Sequence, residues 1–154
     1  EIGVRLVGSE MCIRDRFYGV LKPLDGVTPY RLEMQAKVGI GDAKNLYEYW
    51  GDMLYCSVID NSRIIINLAS KEYSKVIEKY LTPEVEYVSC IFGIWQDGKV
   101  KVKATEAKMA RGEMVRWCAE HNILHIEDTK KFDCLGYKYQ KEQSTEKEFV
   151  FLKN

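Results

Sequence analysis

The segment Lys99 to Arg116 concentrates six basic residues, Lys99, Lys101, Lys103, Lys108, Arg111 and Arg116, against only Glu106 and Glu113, a local net charge of +4. Lys99, Lys101 and Lys103 alternate, so on a strand they share one face. On a helix, at 100° per residue, Lys108, Arg111 and Gly112 fall on one face. A glycine inside a helix costs about 1 kcal/mol relative to alanine. At position 112 it would let a phosphate backbone approach the helix closely. Such contacts set affinity for nucleic acid without reading sequence. The plainer reading of the alternating lysines is a solvated strand protected against edge pairing. For Gly112 it is close helix packing.

Further polar residues fall into loose groups. Lys22 and Arg31 lie in a proline-punctuated loop that would hold them in a set geometry. Asn67, Ser70, Glu72 and Tyr73, in the word NLASKEY, follow an apolar run. Ligands favour the crevice at strand carboxyl ends, although Ser70 and Glu72 also suit helix capping. Tyr18 and Asp52 complete this possible polar site. A serine-hydrolase arrangement lacks a companion histidine. Gly39-Ile40-Gly41 matches a phosphate-gripping hairpin weakly, because Asn45 stands where a small residue is wanted. A strand-to-helix turn is the better reading. Cys118-x2-His121-x3-His125 has partial metal-ligand spacing, but Asn122 should end the helix before His125. No catalytic residue, metal or cofactor is assigned.

These residues need elements to carry them. Tyr30–Val38 alternates like a strand, with a turn at 39–42. A helix follows from near Ala43, capped by Asp42 and carrying Leu46, Tyr47, Trp50 and Leu54. Arg63–Leu68 reads as a buried central strand. Ser70 starts a helix that Pro83 stops by about Leu81, with Tyr73, Val76, Ile77 and Tyr80 inward. Tyr87–Trp95 and Lys99–Lys103 form a hairpin about Asp97-Gly98. A helix from Ala104 or Thr105 runs to about His121, and a helical turn covers 127–131. Leu135–Tyr139 and Glu148–Leu152 form a last hairpin. The class is α+β (mixed α/β) in a single domain.

Composition sets outer bounds. The chain has 154 residues, with 23 basic and 23 acidic side chains. Zero net charge excludes a wholly basic nucleic-acid coat but leaves a local basic patch open. Apolar runs are too short for a membrane span. The five cysteines form no disulfide framework and fit a reducing cytosol. Residues 1–16 (EIGVRLVGSEMCIRDR) resemble a translated sequencing adapter, so that segment is expected to be artefactual. Native content would then begin at Phe17.

Several longer words stand in order: FYGVLKPLDGVTPYRLEM (17–34), NLYEYWGD (45–52), IINLASKEY (65–73), AKMARGEMVR (107–116) and the stretch 132–152. Together they resemble the YaaA-type peroxide-stress protein family over 17–154. The resemblance covers the C-terminal part of that family, so the domain is expected to be truncated at its N-terminus. It implies a cytosolic protein of the peroxide-stress response, associated with limiting free intracellular iron. It also implies a mixed α/β fold that binds double-stranded DNA through a basic cleft, with no reaction firmly attached. On this reading Lys22, Arg31, Lys108, Arg111 and Gly112 contact DNA without strong sequence preference. The alternative is a small-molecule or metal-handling protein, or an unrecognised enzyme, with a polar site near Asp52, Asn67, Ser70 and Glu72. Oligomeric state is not legible.

Overall fold

The computed structural model describes residues 4–5, 12–15, 17–22 and 24–153. Much of the segment 1–16, and Pro23, therefore lie outside the described residues. Two short strands, β1 (Val4–Arg5) and β2 (Cys12–Asp15), pair antiparallel, and β2 pairs in turn with β3 (Gly19–Leu21).

The main sheet grows from one long strand. β5 (Glu86–Gln96) pairs in parallel with β4 (Ile64–Asn67) along its first half. It pairs in parallel with β8 (Glu148–Lys153) from Ser89 to Gly93. β8 then pairs antiparallel with β7 (Tyr137–Tyr139). The last residues of β5 turn back at Asp97-Gly98 into β6 (Lys99–Lys101). Asp97 and Gly98 both take positive φ, +54° and +72°, as the mirror-image hairpin turn requires. Lys103 is not on the return strand. It occupies the N-cap of the next helix, so the three alternating lysines do not share a strand face.

Helices cover both faces. α3 (Lys71–Glu78) crosses between β4 and β5 and packs Tyr73, Val76 and Ile77 with Ile65. α1 (Leu46–Trp50) and α2 (Met53–Val58) complete that layer with Leu46, Leu54 and Val58. Opposite them lies α4 (Ala104–Glu120), whose Ala107, Ala110, Met114, Trp117 and Cys118 recur at helical spacing. They meet Val88, Cys90 and Phe92, the alternate residues of β5. Phe92 is fully buried, stacked on Phe151 with ring centroids 5.2 Å apart and edge-on to Phe132 and Tyr137. A 3-10 turn at Ile126–Lys131 closes the lower end of this core.

The class is the expected α+β, a single small domain, with three local corrections besides that at Lys103. Tyr30–Val38 is not a strand. Leu32, Met34 and Ala36 do turn inward at period two, but no neighbouring strand among the described residues offers a ladder, and a turn closes from Glu33 to Ala36. Met34 N–H instead donates to Glu72 Oε1 at 3.0 Å. The helix expected from Ala43 is two short helices, broken at Gly51 with φ +48°. Its cap is Asn45, whose side chain accepts from Glu48 N–H at 2.9 Å, rather than Asp42. Residues 64–68 are largely buried, but β4 ends the sheet among the described residues instead of lying centrally.

Candidate functional site

Strand register builds the site. Asn67 of β4 stands opposite Ser89 of β5, and Ser89 opposite Glu148 of β8. Asn67 is the one polar residue of the β4 run IIIN, and it is only 4% exposed. Its amide is satisfied locally, as burial demands. Nδ2 donates to Ser89 Oγ at 2.9 Å, and Oδ1 accepts from Ala69 N–H at 3.0 Å. Ser89 Oγ donates to the Tyr87 hydroxyl at 3.2 Å, which donates to Glu78 Oε1 at 2.9 Å. The result is a directed chain from amide to hydroxyl to phenol to carboxylate, running from β4 across β5 to α3.

This chain floors a cleft of about 800 Å³ between α3 and α4. Lys71, Arg111 and Lys147 bring positive charge to its walls, and Glu78 and Glu148 bring negative charge, leaving a surplus of one positive. Ser70, Ser74 and Thr145 add hydroxyls, while Leu81, Ile91 and Val102 add apolar surface. Arg111 is half-buried with its Nε shielded from solvent. Lys108, about one turn earlier on α4, and Gly112, the next residue, are exposed. A Cβ built on Gly112 meets nothing within 4 Å, so close helix packing does not explain this glycine.

The rest of the basic segment is largely occupied by ion pairs. Lys101 meets Asp97 at 2.5 Å, Lys103 meets Glu106 at 3.3 Å, and Arg116 meets Glu113 at 2.6 Å. Lys103 also holds the Glu106 carboxyl below its ordinary range, chiefly through their hydrogen bond.

Of the expected site residues, the cleft gathers Asn67, Ser70 and Arg111. Lys22 and Arg31 are exposed on the connection from β3 to α1, where Lys22 N–H donates to Asp25 Oδ2 at 2.7 Å. Tyr18 belongs to a ring cluster with Phe17 and Tyr30, and its hydroxyl accepts from Thr28 N–H. Asp52 is exposed at the start of α2. Glu72 spends Oε1 on Met34, and Tyr73 is core at 3% exposure. Gly39-Ile40-Gly41 leads into a tight turn closed by an Ile40–Ala43 bridge, with no helix before it among the described residues.

Among the described residues no three of His, Cys, Asp and Glu gather as a metal would need. His121 Nδ1 lies 2.8 Å from the Trp117 carbonyl, and its ring stacks on the Trp117 indole. Burial pushes the Cys118 thiol up to about 12, and burial and the nearby Cys118 push Cys90 higher still. Both are neutral thiols, poor nucleophiles toward peroxide.

Sequence reasoning passed over Ser89, Tyr87, Glu78, Lys147 and Glu148. A signal existed for two of them: Tyr87 and Ser89 put hydroxyls on one face of an otherwise apolar strand. Lys147 and Glu148 had none, because only the parallel pairing of β8 brings them beside Ser89.

With this geometry in hand, comparison with known proteins is direct. The family model described as Peroxide stress protein YaaA matches residues 3–143. A UPF0246 protein of Agathobacter rectalis is 63% identical over 145 residues, which is 94% of this chain and 58% of the relative. Another from Lachnoclostridium phytofermentans is 54% identical over 147 residues, 96% of this chain and 58% of that protein. One from Clostridioides difficile is 45% identical over 147 residues, 94% of this chain and 60% of that protein. The chain thus spans 58% of the length of the first two. On a match running along nearly all of its residues, the chain belongs to the YaaA peroxide-stress protein family, whose relatives include the UPF0246 proteins.

Proposed function

We propose that this chain carries the DNA-contacting face of a cytoplasmic peroxide-stress protein. Double-stranded DNA is bound through its phosphates, without strong sequence preference and without a catalytic step. Limiting free intracellular iron belongs to the same reading, as a property of the longer protein. One observation supports the DNA contact above the others. Gly112 lies in the interior of a seventeen-residue helix, exposed and with open space where a Cβ would stand, next to Arg111 in sequence and on the side of α4 that carries Lys108. Helix stability argues against glycine there, and packing gives no reason for it. A backbone phosphate approaching α4 at that point supplies one. Lys108 and Arg111 would flank the phosphate, and Lys22 and Arg31 would extend the contact from the β3–α1 connection.

Salt titration of duplex binding tests this reading. Affinity falls steeply as salt rises, and Lys108→Ala flattens the log–log slope by about one unit for one lost phosphate contact. Binding that ignores salt, or a slope untouched by Lys108→Ala, overturns it.

A further inference from the structure

The cleft between α3 and α4 differs in kind from the exposed surface of α4. A duplex presents a convex backbone that a protein touches from outside. A half-enclosed cleft of about 800 Å³ lies within the range of sites that surround a small ligand. Its lining is of two chemical sorts. Ala69, Leu81, Ile91, Val102 and Ala104 contribute apolar surface. Arg111, Lys71 and Lys147, with the hydroxyls of Ser70 and Thr145, contribute groups suited to an anion. The two carboxylates on the cleft, Glu78 and the exposed Glu148, oppose an anion, but three basic side chains outnumber them.

The floor is preorganised. Asn67, Ser89, Tyr87 and Glu78 bond to one another in sequence, so little freedom remains to be lost when a ligand binds. A ligand meeting these walls has an apolar, flat or compact body and one strongly anionic end. Phosphate fits that end better than carboxylate, because a guanidinium can take two of its oxygens while flanking ammonium groups meet the remaining charge. We propose that the cleft binds a small organic monophosphate of nucleoside monophosphate size, with the phosphate at Arg111 and the organic body against Leu81, Ile91 and Val102. This goes beyond the DNA reading and does not depend on it; Arg111 is common to the two, so Val102→Trp and Lys108→Ala are the variants that separate them.

The test is isothermal titration of the 154-residue chain with adenosine monophosphate, with inorganic phosphate and with adenosine. Adenosine monophosphate is expected to bind more tightly than either of its parts. Arg111→Lys keeps the charge but loses the planar fork, and weakens binding on the order of tenfold. Val102 is half-exposed at the cleft wall, so Val102→Trp fills the space without disturbing the core and blocks the nucleotide. Lys108→Ala leaves nucleotide affinity unchanged. Thermal melts of each variant establish that it is folded, and Val102→Trp carries the test alone if Arg111→Lys does not fold. Absence of nucleotide binding at millimolar concentration overturns the proposal. So does binding indifferent to Val102→Trp, or binding lost with Lys108→Ala, which would place the phosphate outside the cleft. The DNA reading stands or falls separately, on the salt slope.

Discussion

Gly112 and Asn67 show how much one residue's surroundings decide. Gly112→Ala adds a Cβ that meets no atom, so it should stabilise the chain by about 0.5–1 kcal/mol in chemical denaturation. The same methyl group should weaken duplex binding if a phosphate approaches there. A substitution that raises stability and lowers affinity together separates the two roles of this position. The buried thiols give a pH prediction. Cys118 is raised from 9.0 to about 12, and Cys90 is raised further in the same direction. Above pH 9 the unfolded chain releases these protons while the folded chain keeps them, so stability is full below pH 9 and declines as pH rises. The slope approaches about 1.4 kcal/mol per pH unit for each thiol. Denaturation midpoints measured from neutral to strongly alkaline pH check this, and a flat profile would remove burial as the controlling factor. From sequence these cysteines read as core residues or bystanders, and Cys90 and Cys118 are core. Asn67 was legible as a candidate, but not the reason it is tolerated inside. That reason is Ser89, twenty-two residues away.

Two element boundaries were legible from local signals alone. The Asp97-Gly98 hairpin needs only two residues that accept positive φ. The end of α4 is equally local. Asn122 takes φ +48°, Ile123 N–H reaches back to the Cys118 carbonyl at 3.0 Å, and Asn122 N–H reaches the Ala119 carbonyl at 3.3 Å. This is the Schellman closure. The strand expected at Tyr30–Val38 failed because alternation reports a two-faced extended chain, whether or not a neighbour exists to pair with it. Gly93 illustrates a constraint invisible to pattern. A Cβ there would lie 2.8 Å from the Lys101 carbonyl oxygen and 2.8 Å from Val100 Cγ1. Gly93→Ala should therefore push β6 away from β5 and cost about 1–3 kcal/mol, as overpacking does. Amide exchange across Trp95–Val100 and Ile94–Lys101 would accelerate. Unchanged protection there would mean that the hairpin tolerates the methyl group.

For the molecule as a whole, the last strand matters most. β8 lies between β5 and β7, and Phe149, Val150, Phe151 and Leu152 are all buried. At about 2 kcal/mol for each buried apolar side chain, removing them takes away an amount comparable to the whole stability of an ordinary domain. A chain ending at Lys147 should lose cooperative unfolding and near-ultraviolet dichroism. A sharp transition in that variant would show that the core does not need β8. The same strand brings Glu148, and Lys147 just before it, to the cleft, so fold and site depend on one insertion.

The sequence by itself determined the kinds and approximate places of most elements, the α+β class, the turn at Asp97-Gly98, the helix that carries Lys108 and Arg111, and the family words. All of these rest on interactions within a few residues, or on the words themselves. Tertiary structure alone decided that β4 and β8 flank β5 in parallel and that Arg111 borders a cleft while Lys108 faces outward. Parallel pairing leaves no mark in local spacing, because its hydrogen bonds join segments separated by a whole crossover connection. The row from Asn67 through Ser89 to Glu148 exists only once those segments are brought together.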